Sequence, residues 1–318
     1  MSKDLLVVGI EGSMRNHPMP ELDNFVLVPW SDRSTIEQAD VFIQANIKEC
    51  KHKGLWDQYQ YIIDSGKPII CVESAVFRKN METNTIPYHR WSWWTYFNDE
   101  GDYCNDNSDK TRWEQISEEQ QLKIEPWQNN PEGHILLCLQ RPGDSSLHRI
   151  LTKKKQDYKH WIWKTVRYIR RYTDRKIVIR MHPLRQEQTE QMLFAIDSVF
   201  DNVEISGNIQ GANLEMGSNG GDGFIKDLKG AYCVVGLNSN ALTESVMAGI
   251  PTFSLCSGSM AWPVSNHFLK DINSPIMEFD RTQWLYNLSY CQWREDEIKQ
   301  GLPWQHLMKK LPELIRQQ

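Results

Sequence analysis

Gly236-Leu237-Asn238-Ser239-Asn240-Ala241-Leu242-Thr243-Glu244-Ser245-Val246-Met247-Ala248-Gly249-Ile250-Pro251 lies between two apolar runs, Ala231-Tyr232-Cys233-Val234-Val235 and Thr252-Phe253-Ser254-Leu255. The order reads as strand, polar turn, short helix, Gly-Pro stop and strand, the unit from which parallel α/β sheets are built. Asn238, Ser239 and Asn240 fall where the helix begins. Free backbone N–H groups and the positive end of the helix dipole gather there, which suits an anion such as a phosphate. An ordinary capped helix produces the same pattern, so the stretch alone does not separate the two.

Upstream, the same alternation recurs. His134-Ile135-Leu136-Leu137-Cys138-Leu139 reads as a strand leading into Gln140-Arg141-Pro142-Gly143-Asp144-Ser145-Ser146. A helix over Trp161 to Tyr172 precedes the strand Lys176-Ile177-Val178-Ile179-Arg180 and the turn Met181-His182-Pro183. A second helix covers 186–200, followed by a short strand at Val203-Glu204-Ile205. Further back, Leu5 to Ile10, Val26 to Pro29, Val41 to Ile43 and Ile69 to Val72 are short apolar runs, with a helix predicted over Gly54 to Asp64. Glu11 and Glu73 each directly follow such a run, where functional residues of parallel sheets collect. Between the two series, residues 88–97 are aromatic-dense and 98–107 acidic and turn-rich. That block reads either as an irregular subdomain packed on its own rings or as a loop that stacks on a planar or sugar ring. Glu125-Pro126 to Glu132-Gly133 has the composition of a linker.

At 318 residues the chain is long enough for one large domain or two ordinary ones, and 40% hydrophobic with 24% charged residues fits a soluble globular protein. A net charge of −5 argues against coating nucleic acid with the whole surface but leaves room for a local basic cleft. No signal segment is expected at the N-terminus, and no apolar run approaches the roughly 20 residues that span a bilayer. The seven cysteines include no C-x-x-C pair and several sit in apolar strands, so reduced core thiols in a cytoplasmic protein are expected. No Asp-x-Asp motif follows a strand, so no metal is expected.

Three strand-end turns carry the functional reading: 140–146, 180–183 and 236–251. In one parallel sheet they open toward a common crevice. They supply Arg141, Arg180 and His182, the hydroxyls of Ser145, Ser146 and Ser239, and a helix N-terminus, which together make a diphosphate cradle.

In these places the sequence resembles the capsule-polysaccharide (Kdo-transferase-like) enzymes of the GT-B glycosyltransferase type. The resemblance rests on a strand followed by Gln and an Asp-Ser pair (Gln140, Asp144, Ser145), and on a basic residue before His-Pro (Arg180, His182, Pro183). Its third element is an Asn-Ser turn leading to Glu and Gly-x-Pro (Asn238, Ser239, Glu244, Gly249, Pro251). It spans roughly residues 134–256, with a fainter echo at Val72-Glu73-Ser74 to Phe77-Arg78. Arg180 stands where a Lys is usual, and the block 88–107 has no counterpart. The resemblance implies an α/β protein of two Rossmann-like domains with a cleft between them. Residues 1–130 then form an acceptor domain and 131–285 a donor domain, with a helical segment at 286–318 packing back on the first.

The implied co-substrate is a nucleotide-sugar, UDP- or CMP-linked, with no further cofactor. Its donor-binding residues would be Gln140, Arg141, Asp144, Ser145, Arg180, His182, Asn238, Ser239, Asn240 and Glu244. Glu244 reads equally as a ligand of the donor ribose or as a charge at the helix start. Glycosyl transfer also needs a base or nucleophile near the anomeric carbon. Glu11, Glu73, Asp99 and Asp102 are the candidates, each of which is as readily a turn former or a surface charge.

The acceptor is read from a basic segment, Lys153 to Lys176, laced with Tyr158, Trp161, Trp163, Tyr168 and Tyr172. Such a surface suits a polyanion, DNA included, although a solvated amphipathic helix reads the same way. With DNA, a hydroxymethylated base of the 5-hydroxymethylcytosine type would be flipped out and received by Arg78, Arg90, Trp91, Trp93 and Trp94. The small size and Asn/Lys/Trp-rich texture are similar to a bacteriophage DNA-modifying glycosyltransferase, which makes that acceptor the favoured expectation. The alternatives are a transferase for capsule or other surface polysaccharide, and a non-catalytic nucleotide-sugar or nucleic-acid binding module.

Overall fold

The computed structural model describes residues 5–14, 17–45, 53–77, 88–147, 157–183, 186–208 and 221–316. Among them the strands are β1 (Val7–Ile10), β2 (Phe25–Val28), β3 (Val41–Ala45), β4 (Ile69–Ser74), β5 (Tyr88–Trp93), β6 (His134–Cys138), β7 (Ile177–Arg180), β8 (Val203–Ile205), β9 (Ala231–Gly236), β10 (Thr252–Ser254) and β11 (Gln292–Arg294). They form two sheets in two compact units. Unit 1 takes residues 1–77, 86–115 and 285–318, and unit 2 holds 116–284. The protein is thus α/β, with two Rossmann-like units.

Unit 2 has a five-stranded sheet in the order β10-β9-β6-β7-β8, every pairing parallel. The apolar runs of its central strands β6, β7 and β9 are nearly unbroken because these strands are buried on both faces. One core cluster joins Ile135, Leu137, Ile177, Ile179 and Val235 of the strands to Ile162, Val166 and Ile169 of the helix Tyr158–Ile169. The stretch 236–251 has the local structure its sequence predicts. Ser239 caps the helix Asn240–Met247 by accepting from Ala241 N at 3.3 Å. Gly249 ends it at φ +75°, a conformation that L side chains rarely adopt. A Cβ there would meet Pro126 O at 2.0 Å, because residues 125–128 pack against this helix end. Glu125 N donates to Met247 O (2.8 Å) and Gln128 N to Gly249 O (2.7 Å). The segment whose composition resembles a linker therefore lies along unit 2 as part of it.

Unit 1 is built on a different plan. Its order is β11-β5-β4-β3-β1-β2, with the four strands β1–β4 parallel and β5 and β11 antiparallel additions. Successive residues of the parallel strands alternate between two cores: Val7, Ile43, Ala45, Ile70 and Val72 on one face, Val8, Ile10, Phe42 and Ile69 on the other. The first face is covered by the C-terminal segment through Ile298, Trp304, Leu307, Leu311 and Leu314. Arg112 ties that segment down with a buried bidentate pair to Glu297 (2.9 and 2.7 Å) while its guanidinium lies 4.1 Å over Trp293.

The aromatic block is where expectation and structure part. Residues 88–93 are a central strand and not a ring-stacking loop. Trp91 and Trp93 are 0% exposed, and Trp93 Nε1 donates to Leu307 O at 3.0 Å. Indole rings fit a half-pleated strand surface as well as a loop, and burying both contributes far more than exposure to a ligand would.

Among the described residues no helix is long and apolar enough to cross a membrane. Six cysteines there are free thiols, four of them buried. Burial pushes the Cys138 thiol up to about 12, so it stays protonated and inert.

Candidate functional site

In unit 2 the chain runs from β6 through β7 to β8 on one side of the sheet, then to β9 and β10 on the other. Strand order therefore reverses between β6 and β9, and the loops leaving their carboxyl ends diverge there. Such reversals open a crevice at which α/β proteins bind ligands. Cys138 is level with both Gly236 and Arg180 in the register, so all three predicted turns begin on the same edge.

A polar network spans this crevice. Gln140, 5% exposed, donates from Nε2 to Asn238 Oδ1 (2.6 Å) and also to Ser146 Oγ. Asn238 Nδ2 returns a bond to Ser146 O (3.0 Å). Asp144 holds the loop in shape, its Oδ1 accepting from Ser146 N (2.8 Å) and Ser146 Oγ (2.6 Å) and its Oδ2 from Arg141 Nη2 (3.1 Å). Tyr158 fixes the backbone of Gln140 from beneath, accepting from its N–H (2.8 Å) and donating to its carbonyl (3.3 Å). The Oε1 of Gln140 and the Nε of Arg141 are buried without a hydrogen-bond partner among the described residues. Buried polar atoms in that state are uncommon, and a ligand or water normally answers them.

Around the network stand the half-buried groups Arg141, Ser145, Ser239, Asn240 and Glu244, with His182 in the turn after β7. The arrangement offers one cation, hydroxyls and the start of an eight-residue helix on a rigid edge. Chemically it can hold an anion and a ribose or sugar hydroxyl side by side.

Arg180 is a correction. Its guanidinium is 5% exposed and pairs with the equally buried Asp227 at 2.5 Å. Asp227 also accepts from Ser206 Oγ (2.8 Å) and Asn208 Nδ2 (2.7 Å). The residue is a strut between β7 and the helix Gly221–Leu228, and its charge is already answered. The basic segment divides in the same way. Tyr158 and Trp161 are core residues, and Arg170 and Arg175 spend their guanidinium groups on backbone carbonyls. Lys159, His160, Lys164, Arg167 and Arg171 remain exposed, while Lys153-Lys154-Lys155 lie outside the described residues.

In unit 1 the four carboxylate candidates separate. Glu11 is exposed and opens the helix Glu11–Met14 directly after β1, beside the reversal of order between β1 and β3. Glu73, near the end of β4, folds back to accept from Ser74 N (2.7 Å) and Ser74 Oγ (2.8 Å). Asp99 is exposed in the loop after β5. Asp102 is engaged structurally, bridging Lys310 and accepting from Cys104 N at 2.9 Å.

The acceptor residues fare worse. Arg90 is 6% exposed and donates to Ser74 O (2.8 Å) and Tyr96 O (3.3 Å). Trp91 and Trp93 are sealed in the core, so no base can stack on them. Trp94 is half-buried at φ +70°, and Arg78 lies outside the described residues.

Sequence reasoning passed over one cluster. His17, three residues past the first helix, meets His89 of β5 edge to face, ring centroids 5.5 Å apart. Burial holds both imidazoles below their usual pKa, His89 at about 4, while Glu73 pulls each of them back up. Neither histidine belongs to a spacing motif, and only the paired strands bring them together. Among the described residues no three His, Cys, Asp or Glu side chains are placed to hold a metal.

No protein-family model matches the chain, and no curated protein sequence does. Solved structures do. The KpsC beta Kdo 2,4 transferase of Thermosulfurimonas dismutans is similar at TM-score 0.54 and 12% identity, covering 91% of this chain and 92% of that one. The KpsC beta Kdo 2,7 transferase of the same organism matches at TM-score 0.51 and 12% identity, over 96% and 99%. The likeness is one of fold: two Rossmann-like units of the GT-B type.

Proposed function

We propose that the protein is a glycosyltransferase of surface-polysaccharide assembly, moving a sugar from a nucleotide-sugar to a carbohydrate hydroxyl. The observation that carries this reading is the Gln140–Ser146–Asn238 network at the strand-order reversal of unit 2, with Arg141 and the helix start beside it. A donor's phosphate would lie against Arg141 and the N-terminus of the helix Asn240–Met247, with Ser145 and Ser239 donating to its oxygens. Negative charge grows on that phosphate as the glycosidic bond to the donor breaks, and preorganised donors stabilise it most in the transition state. Gln140 would answer a donor hydroxyl or base edge through its unpartnered Oε1. Glu11 and Glu73, which follow or end strands of unit 1, are the carboxylates proposed for the base or nucleophile role. Kdo, the sugar named for the two transferases of similar fold, is the donor sugar proposed here.

A DNA acceptor loses its expected base-receiving site with the burial of Trp91 and Trp93. The test offers CMP- and UDP-sugars, CMP-Kdo among them, with either oligosaccharide acceptors or hydroxymethylcytosine DNA, and reads products by mass spectrometry. Sugar on the oligosaccharide is the expected result. Sugar on DNA overturns the acceptor, and donor binding by calorimetry with no transfer to anything overturns the enzyme.

A further inference from the structure

Several exposed lysines of this molecule are answered by acids. Lys110 pairs with Glu114 at 2.6 Å and Lys299 with Glu295 at 2.8 Å, each one turn along its own helix. Lys176 pairs with Glu204 at 2.8 Å. The helix Tyr158–Ile169 of unit 2 differs. From Tyr158 to Thr173 the chain carries Lys159, Lys164, Arg167, Arg170 and Arg171 and no Asp or Glu, within a sequence of net charge −5. Arg170 is spent on backbone carbonyls. Among the described residues no carboxylate pairs with Lys159, Lys164, Arg167 or Arg171.

Helix geometry makes these charges a line. Tyr158, Trp161, Ile162, Thr165, Val166 and Ile169 turn inward to the core. His160, Lys164, Arg167 and Arg171 follow one another at spacings of four, three and four, which puts them on the opposite face in one row about 16 Å long. Aromatic rings border the far end. The Arg171 guanidinium lies 5.5 Å over Tyr168, whose ring meets that of Tyr172 edge to face at 5.3 Å. The near end starts beside the donor edge, because Tyr158 bonds to the backbone of Gln140.

The neighbours in the same layer are not basic. The helix Gln186–Leu193, whose Met192 carbonyl accepts from Trp163 Nε1 at 2.9 Å, presents Glu187 and Glu190 to solvent. The turn Leu269–Asp271, packed on the same basic helix, offsets Lys270 with Asp271. A single row of cations between acidic or neutral neighbours fits a narrow polymer. A flat anionic membrane would meet Glu187 and Glu190 as well, and like charges repel.

We infer that the outer face of the helix Tyr158–Ile169 holds an acidic glycan, a chain whose sugars each carry a carboxylate, laid along His160, Lys164, Arg167 and Arg171. The cations at successive turns pair with carboxylates, and the Tyr168 and Tyr172 rings cover apolar faces of the sugars. The choice of a glycan over a nucleic acid rests on the surface-polysaccharide reading above. Each exposed pair is worth little by itself, so affinity comes from the row acting together and falls as salt rises. Such a row keeps a growing polymer on the protein between additions.

The experiment titrates the full chain, with no nucleotide-sugar present, against fluorescently end-labelled oligogalacturonate, and reads anisotropy at low and at high salt. The wild type is expected to bind, to weaken as salt rises, and to ignore neutral dextran. Lys164→Gln combined with Arg167→Gln is expected to raise Kd about tenfold, and Lys164→Glu combined with Arg167→Glu to raise it further. Lys226→Gln combined with Lys229→Gln removes the same charge from another exposed part of unit 2 and should leave Kd within about twofold. Melting temperatures confirm that each variant is folded. A wild type that binds no oligogalacturonate, or a Kd unchanged in both row variants, overturns the surface. Tighter binding of duplex DNA or of phosphatidylglycerol vesicles overturns the glycan as its occupant. Binding is read without turnover, so transfer without acidic-glycan binding overturns this surface alone, and binding without transfer overturns the enzyme reading alone.

Discussion

The carboxyl edges of the two sheets make an instructive pair. In unit 2 every strand is parallel, and the edge beside β6 is built from residues close in sequence: Gln140, Arg141, Asp144 and Ser146 in one loop, Asn238 and Ser239 in another. In unit 1 the corresponding edge is extended by β5 and by β11, which comes from the far end of the chain. Its polar residues, His17, Glu73 and His89, come from three separate segments. A local edge can be read as a motif, whereas an assembled edge has no motif to read.

The sharpest way to break the comparison is through the buried ion pair under the unit 2 edge. Asp227→Ala removes the buried carboxylate that Arg180 pairs with, and should cost about 3–5 kcal/mol in urea unfolding. An apolar pair, Arg180→Met with Asp227→Leu, should recover much of that loss and still bind donor. Donor affinity that collapses in this folded double variant would return Arg180 to the site. In unit 1, Trp93→Ala should cost about 3–5 kcal/mol, because it empties a fully buried indole and removes its hydrogen bond to Leu307 O. A variant of unchanged stability but altered acceptor binding would reopen the ring-stacking reading.

Gln140→Ala tests the edge itself. It leaves Asn238 Oδ1 without its donor and should cost about 1–3 kcal/mol of stability, while weakening donor binding measurably by calorimetry.

The smallest effect is a slope. His89 has a folded pKa of about 4 against a usual value near 6.5, so between those pH values the unfolded chain binds more protons than the folded one. Its contribution is fully present above pH about 6.5 and is lost as pH falls toward 4. His89→Gln should flatten the stability curve across that window, as followed by denaturant midpoints at successive pH values.

Much of unit 2 was legible beforehand for a physical reason. The strands 231–235 and 134–138, the capped helix start at Ser239 and the stop at Gly249 are each set by nearest neighbours, apolar runs and backbone conformation. Arg180 was misread because a basic residue before His-Pro looks the same whether it faces a ligand or an aspartate 47 positions on. The tryptophans were misread for a related reason. An aromatic-dense run carries no mark of whether its rings meet solvent or a C-terminal helix more than 200 residues away.

What the sequence determined by itself was the alternation of strand and helix, the turns at 140–146 and 236–240, and hence an α/β fold whose sheets are parallel at their centres. These follow from hydrophobic periodicity and local backbone chemistry, which act over a few residues. Only the tertiary structure decided which polar groups stay open to solvent and which are buried against partners across the fold. Arg141 was left half-exposed and Arg180 locked to Asp227, Glu11 left open and Asp102 bound to Lys310, and His17 set against His89. Charge pairing and burial depend on what lies across the fold, and that partner is chosen by strand order and not by sequence distance.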